Sequence, residues 1–141
     1  MKKYLYFIPA LIMMIVIFSF SQQNGVQSTG ISYQIHFWLF NHLHIWISEF
    51  IIRKAAHMSE YALLSLTFLY AFYHFDLSVR KYYLFSFICT FIYACSDEFH
   101  QFFINGRSAQ ITDIFIDSTG AIIILTIFYI IQKKLFSSSK E

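Results

Sequence analysis

The chain has 141 residues, of which 57% are hydrophobic, 21% are aromatic and only 13% are charged. Because soluble domains carry about a quarter charged residues, this composition excludes an ordinary soluble domain. It predicts a small integral membrane protein that forms one domain over residues 1–141. The net charge of +2 is small and scattered along the chain, which excludes a nucleic-acid partner and leaves the lipid bilayer as the expected surroundings.

Four apolar runs are long enough to cross a bilayer, which takes about 20 residues of helix. In chain order they cover residues 4–20, 55–74, 82–103 and 111–131. Pro9 lies in the first run and is tolerated in a membrane helix, because a local break can be satisfied by neighbouring groups. The predicted fold class is therefore all-α, an integral membrane bundle of four transmembrane helices.

The positions of Lys and Arg indicate the orientation, because short cytoplasmic loops are enriched in these residues. Four spans place the following charges on one side of the membrane: Lys2, Lys3, Arg80, Lys81, Lys133, Lys134 and Lys140. The pattern predicts a multi-pass protein with both termini in the cytoplasm.

Between the first and second runs, residues 33–52 are apolar enough to suggest a fifth span. Polar residues recur every seven positions in this segment, at Gln34, Asn41 and Ser48, which is typical of an amphipathic helix. Trp38 and Trp46 are typical anchors at a membrane–water interface. A fifth span would also move the lysines after the last run to the outer side. We therefore predict an extra interfacial helix in the first outer loop.

Acidic residues recur at one depth in three of the predicted spans. Glu60, Asp97 and Asp117 each lie roughly 21 Å of helical rise from the inner end of their own span. An ionisable group that faces lipid costs at least about 2.5 kcal/mol. We therefore expect these side chains to turn inward and to form a buried polar site that opens to the outer side.

Local spacings support the same site. His57 and Glu60 share one helix face at i, i+3, and so do Asp97 and His100. Arg53 lies one turn before His57. These pairs predict contacts between imidazoles, carboxylates and a guanidinium inside the bundle.

The remaining polar residues of the second motif also follow helical spacing. Glu98 points about 100° away from Asp97, where it could join Gln101. Asp113, Asp117 and Gly120 follow one stripe of the last span, and Gly120 would let a neighbouring helix approach closely.

Two blocks of this sequence resemble the signature of the VanZ-like membrane proteins. They read "RKAAHMSEY" at residues 53–61 and "ACSDEFHQFFINGRSAQITDIFIDSTGA" at residues 94–121. The resemblance implies an integral membrane protein of the bacterial cell envelope. The founding member of that family is tied to low-level resistance to the glycopeptide antibiotic teicoplanin, and the resemblance implies no particular reaction.

In a first interpretation the site is a metal-dependent hydrolase of a lipid phosphate or lipid-linked glycan. His57, Glu60, Asp97 and His100 offer ligands for a divalent metal, the cofactor that this chemistry would use. The predicted catalytic set comprises His57, Glu60, Asp97, Glu98, His100, Asp113 and Asp117. The same His–acid spacing also fits a structural ion pair.

In a second interpretation the site binds a phospholipid or a lipid-linked cell-wall precursor without turnover. Arg53, Lys54 and Arg107 would bind its phosphate, since a guanidinium matches phosphate oxygens. The predicted substrate-binding set comprises Arg53, Lys54, Gln101, Arg107, Ser21 and Gln22. In a third interpretation the polar layer is purely structural and holds the helices in register.

Overall fold

The computed structural model describes residues 2–138, with side chains described to residue 135. Lys140, one of the predicted cytoplasmic charges, lies outside this range. Within it, five α-helices and no strand are present. A short 3-10 helix, Lys3–Phe7, leads into α1 (Ile8–Ser21), and α2 (Gly25–Leu43), α3 (Glu49–Tyr73), α4 (Val79–Gln101) and α5 (Ile111–Ser138) follow. The prediction of an all-α protein is confirmed.

Local sequence features determine where α1 and α2 begin. Pro9 occupies the first turn of α1, where its missing N–H costs no hydrogen bond. Asn24 caps α2 through its side chain, which accepts a hydrogen bond of 2.9 Å from the backbone N–H of Gln27, while the Gln27 side chain accepts one of 3.2 Å from the Asn24 N–H. This reciprocal capping box satisfies two helix-end donors and determines where α2 begins.

The prediction of one helix over residues 33–52 is wrong. The capping box starts α2 earlier, and α2 ends at His44, which adopts a left-handed conformation with φ of 53°. The Ser48 hydroxyl then accepts from the Ile51 N–H at 3.4 Å and starts α3. His36 Nδ1 contacts the Ile47 carbonyl oxygen at 2.5 Å, which holds the connecting segment back against α2. The break follows because Ser48 favours a new helix start.

Helix α3 lies at the centre and packs against α1, α2, α4 and α5. Its closest neighbour is α5, where Gly120 lies against Met58. A Cβ at Gly120 would collide with the Met58 carbonyl oxygen and would lie 2.8 Å from Met58 Cγ. The predicted close approach at Gly120 is confirmed, and it brings the polar residues of α3 and α5 together.

Two helical segments within residues 2–138 are long and apolar enough to cross a membrane, Lys3–Ser21 and Ile111–Leu135. Both carry large apolar side chains on their exposed surface, among them Ile12, Ile15 and Ile127. The predicted spans over 55–74 and 82–103 overlap α3 and α4, which end one and two residues earlier, respectively. Those two helices interrupt their apolar sequence with the charged groups that build the polar layer.

Candidate functional site

The ends of α3, α4 and α5 bring the predicted acidic residues into one buried layer. Asp97 and Glu98 are each 4% exposed, and Asp117 is 1% exposed. Asp117 lies within electrostatic reach of Asp97, Glu98 and Asp113. Asp97, Glu98 and Asp117 therefore lie together in the interior of the bundle, while their depth in a membrane and their roles stay predictions.

Beside this layer lies a polar cavity of about 140 Å³, which we call the cationic cavity. The start of α3, the end of α4 and the α4–α5 loop supply most of its walls. Its polar lining includes Arg53, Lys54, His57, Gln101, Arg107 and Asp113. Drug-sized pockets start at about 300 Å³, so this volume suits a small group such as a phosphate rather than a whole antibiotic.

Lys54 in the cationic cavity is already paired. Its ammonium forms a salt bridge with Asp113 across α3 and α5, and both side chains are 17% exposed. The Lys54 ammonium also lies 5.3 Å from the centre of the Phe50 ring. Breaking such a sheltered pair leaves an uncompensated charge, so Lys54 contributes to the packing of the two helices as well as to the charge of the cavity.

Arg107 holds two loops together. Its Nε donates to the Gln23 carbonyl at 3.0 Å, and its Nη2 donates to the Phe20 carbonyl at 3.1 Å. Gly106, directly before it, has a φ of +75°, a conformation that glycine adopts without strain. Burial lowers the pKa of the Arg107 guanidinium, and the Asp97 carboxylate acts in the opposite direction. An arginine nevertheless stays protonated in proteins, so it remains a cation at the edge of the cavity.

A contact between two glycines also joins the α4–α5 loop to the start of α2. The Gly25 N–H donates to the Asn105 carbonyl at 3.2 Å, and a Cβ on Gly25 would collide with the Gly106 carbonyl. Sequence reasoning did not identify this contact, because two glycines far apart in the chain carry no signal that they meet.

Arg53 differs from the other two cations. It lines the cationic cavity, yet among residues 2–135 it has neither a salt bridge nor a side-chain hydrogen bond. Its guanidinium is therefore the cation of the cavity with all donors available for a ligand.

The hydrogen bonds of α4 correct one expectation. Gln101 Nε2 donates to Asp97 Oδ2 at 3.0 Å, so it joins Asp97 rather than Glu98. Glu98 Oε2 instead accepts from the Gln110 backbone N–H at 2.9 Å. Gln101 could reach either carboxylate by helical spacing, but Glu98 is engaged at the start of α5, so Gln101 pairs with Asp97.

The two histidines of the predicted metal site lie at different cavities. His57 lines the cationic cavity, while His100 stacks near Phe18 of α1 with ring centres 4.9 Å apart. Glu60 is outside the lining of the cationic cavity but within electrostatic reach of Asp97 and Arg107. In residues 2–138 no group of three or more His, Cys, Asp or Glu side chains is placed to hold a metal ion. The divalent metal stays a prediction from ligand type alone.

Several buried polar atoms of the layer lack a partner within the described residues. They are Ser21 Oγ, His57 Nδ1, Tyr61 OH, Glu98 Oε1, His100 Nε2 and both carboxylate oxygens of Asp117. Buried polar groups are hydrogen-bonded in most proteins, so this concentration indicates a place where water or a ligand completes the network. Gln22 is exposed and, like Ser21, is not part of the lining of the cationic cavity.

Tyr61 is a site residue that sequence reasoning missed. It is fully buried, and Asp97 and Asp117 both act on its hydroxyl electrostatically. The signal was available, because Tyr61 closes the "RKAAHMSEY" block and lies one turn beyond His57 on the same helix face.

Within the described residues, five helices surround a buried polar layer with a cationic cavity beside it, and the class is an all-α bundle in which two helical segments are long and apolar enough to cross a membrane. Within that class, the chain belongs to the VanZ-like family: the VanZ/LLP1 family model matches residues 6–132. Neither a curated protein nor a solved structure matches the chain. Together with the two apolar helices, the family indicates a membrane protein.

Proposed function

We propose that this protein binds the phosphate of a lipid-linked cell-envelope component in the cationic cavity. The observation that carries the proposal is Arg53, a cation that faces the cavity and has no protein partner among the described side chains. A guanidinium matches two phosphate oxygens at once. Lys54 and Arg107 add positive charge at the same cavity.

The proposed setting is a bacterial cell membrane crossed four times. In this topology α1, α3, α4 and α5 span the bilayer, α2 lies in the outer interface, and both termini are cytoplasmic. The placement of the basic residues supports it, because Arg80, Lys81, Lys133 and Lys134 lie at the opposite ends of the helices from Arg53 and Arg107. The cationic cavity then faces the outer side.

The ligand class follows from the surroundings of the cavity. A lipid whose phosphate lies at the outer interface reaches it directly, and phospholipids and lipid-linked cell-wall precursors both have that chemistry. Binding such a precursor would redistribute the target of a glycopeptide and so alter susceptibility to teicoplanin, as the family resemblance suggests. Binding alone is sufficient for this effect, so the proposal requires neither catalysis nor a metal.

A structural network is the second candidate, and two observations favour it. Lys54 is paired with Asp113, and Arg107 is bound to backbone carbonyls. Neither contact explains why Arg53 lies unpaired at a cavity. Arg53 therefore distinguishes the two candidates.

The test compares Arg53→Gln with Arg80→Gln in the detergent-solubilised protein. The probe is a short polyprenyl phosphate, and its affinity is measured by native mass spectrometry and calorimetry. A hydrogen bond to a charged group is worth about 1.5–3 kcal/mol, so we expect Arg53→Gln to bind roughly 10- to 150-fold more weakly. Arg80 lies at the start of α4, whereas the end of α4 lines the cationic cavity. The Arg80→Gln variant should therefore bind as the wild type does.

Thermal stability is measured in the same samples. Equal melting temperatures for the two variants, with weaker binding in Arg53→Gln alone, support a binding site. Wild-type affinity in Arg53→Gln, or no binding by the wild type, would refute it. A large loss of stability in Arg53→Gln would favour the structural network.

A further inference from the structure

A second cavity reaches the polar layer from another side. It has a volume of about 300 Å³ and lies between α1 and α4. We call it the aromatic groove, and its lining includes Phe18, Ser96, Asp97, Phe99, His100 and Phe103. The three phenylalanines are 45%, 69% and 64% exposed, so the groove is open to the apolar surroundings of the helices.

The aromatic groove and the cationic cavity are adjacent, because a residue of one is hydrogen-bonded to a residue of the other. Gln101 lines the cationic cavity, Asp97 lines the aromatic groove, and the Gln101 amide donates to the Asp97 carboxylate at 3.0 Å. A molecule with one anionic end and one apolar end could therefore occupy both.

Charge determines the direction in which such a molecule would lie. The cationic cavity holds Arg53, Lys54 and Arg107 and attracts an anion. The groove holds Asp97, which repels an anion, together with aromatic rings. The phosphate belongs in the cavity, and the uncharged chain belongs in the groove.

His100, which lines the groove, carries a polar atom that a ligand could engage. His100 Nε2 is buried and has no hydrogen-bond partner among the described residues. The ester oxygen that joins a phosphate to its lipid chain is an acceptor at the matching position between the charged and the apolar end. A neutral imidazole can donate to it from Nε2.

We infer that the aromatic groove between α1 and α4 holds the first apolar segment of the lipid chain whose phosphate occupies the cationic cavity. The ligand class is therefore a phosphate monoester or diester of a long apolar alcohol. Its phosphate would bind in the cationic cavity, and the start of its chain would bind in the aromatic groove. This inference rests on the proposed phosphate-binding function and adds the chain as a second determinant of affinity.

Filling the groove without touching the cavity tests the inference. Ser96 lines the groove and is exposed on α4, so Ser96→Trp places an indole where the chain would lie. The matched control is Ile92→Trp, one turn earlier on the same face of α4 and 61% exposed. Ser96→Leu is a milder filling that keeps the test valid if the tryptophan impairs folding.

Two probes separate the groove from the cavity: a long-chain polyprenyl phosphate and glycerol 3-phosphate, which has the phosphate without the chain. We expect Ser96→Trp to bind the polyprenyl phosphate at least about tenfold more weakly and glycerol 3-phosphate as the wild type does. Ser96→Leu should show a smaller loss in the same direction, and Ile92→Trp should match the wild type for both probes.

The alternative outcomes are distinct. Wild-type affinity of Ser96→Trp and Ser96→Leu for the polyprenyl phosphate would overturn the inference and leave the phosphate site intact. If the wild type bound neither the polyprenyl phosphate nor glycerol 3-phosphate, the proposed function and the inference would be overturned together. A changed oligomeric state in Ser96→Trp with unchanged lipid affinity would assign the groove to a second copy of the chain and would also overturn the inference.

Discussion

Replacing Arg107 by alanine should destabilise the protein through the loss of two specific hydrogen bonds. The guanidinium donates to the Gln23 and Phe20 carbonyls at 3.0 and 3.1 Å and so ties the α4–α5 loop to the end of α1. The perturbation removes both bonds near a helix end, although the Phe20 carbonyl keeps the backbone N–H of Gln23 as a donor at 3.2 Å.

The magnitude follows from the burial of this side chain. A hydrogen bond from a charged donor contributes about 1.5–3 kcal/mol. Arg107 is partly exposed, so water replaces some of what is lost, and we expect a total of about 2–4 kcal/mol. In a chain of this size each kcal/mol shifts the melting temperature by about 2–4 °C, which gives a fall of roughly 4–16 °C.

The assay is thermal unfolding in detergent, followed by circular dichroism. Arg107→Lys keeps the charge but cannot reach both carbonyls in fork geometry, so it should lose about half as much as Arg107→Ala. Arg80→Ala is the control, because an exposed arginine outside such contacts changes stability by less than about 0.5 kcal/mol. If Arg107→Ala and Arg80→Ala had the same melting temperature, the attachment of the α4–α5 loop to the end of α1 would not depend on these bonds, and our account of it would be wrong.

Four further predictions concern packing and topology. Lys54→Met should destabilise by about 3–5 kcal/mol, because it leaves the Asp113 carboxylate sheltered and unpaired, and Asp113→Leu added to it should restore much of the loss. Gly120→Ala should destabilise by about 1–3 kcal/mol, since the new methyl group collides with α3. Gly30→Ala, where nothing lies within 4 Å of the new methyl group, should stabilise α2 by about 0.5–1 kcal/mol. A cysteine at Asn105 should react with a membrane-impermeant maleimide from outside intact cells.

Each of these has a clear contrary result. Equal melting temperatures of the Lys54→Met single variant and the double variant would show that the pair is not coupled. Equal effects of the two glycine variants would show that α5 does not approach α3 closely. The labelling uses a chain in which Cys89 and Cys95 are replaced by alanine and a cysteine at Lys81 as the control. Labelling of Asn105→Cys from the cytoplasmic side alone would overturn the proposed topology.

Much of the helical content was predictable from residue pattern. The apolar runs mark four of the helices because a segment of this length and composition can satisfy its backbone groups by helix formation alone. The common height of Glu60, Asp97 and Asp117 stays a prediction, made because helical rise converts position in the chain into height. The break at His44 was not predictable, because apolar residues continue on both sides of it.

The sequence by itself determined that polar groups must meet, and the tertiary structure decided which of them meet. A charged side chain in an apolar helix has to turn inward whatever its neighbours are, so the composition of the layer follows from the chain alone. The pairing of Lys54 with Asp113, the attachment of Arg107 to α1 and the separation of His57 from His100 depend on how the helices are rotated against one another. Those rotations are determined by close contacts such as Gly120 against Met58, and within residues 2–135 they leave Arg53 at the cavity without a salt bridge or side-chain hydrogen bond.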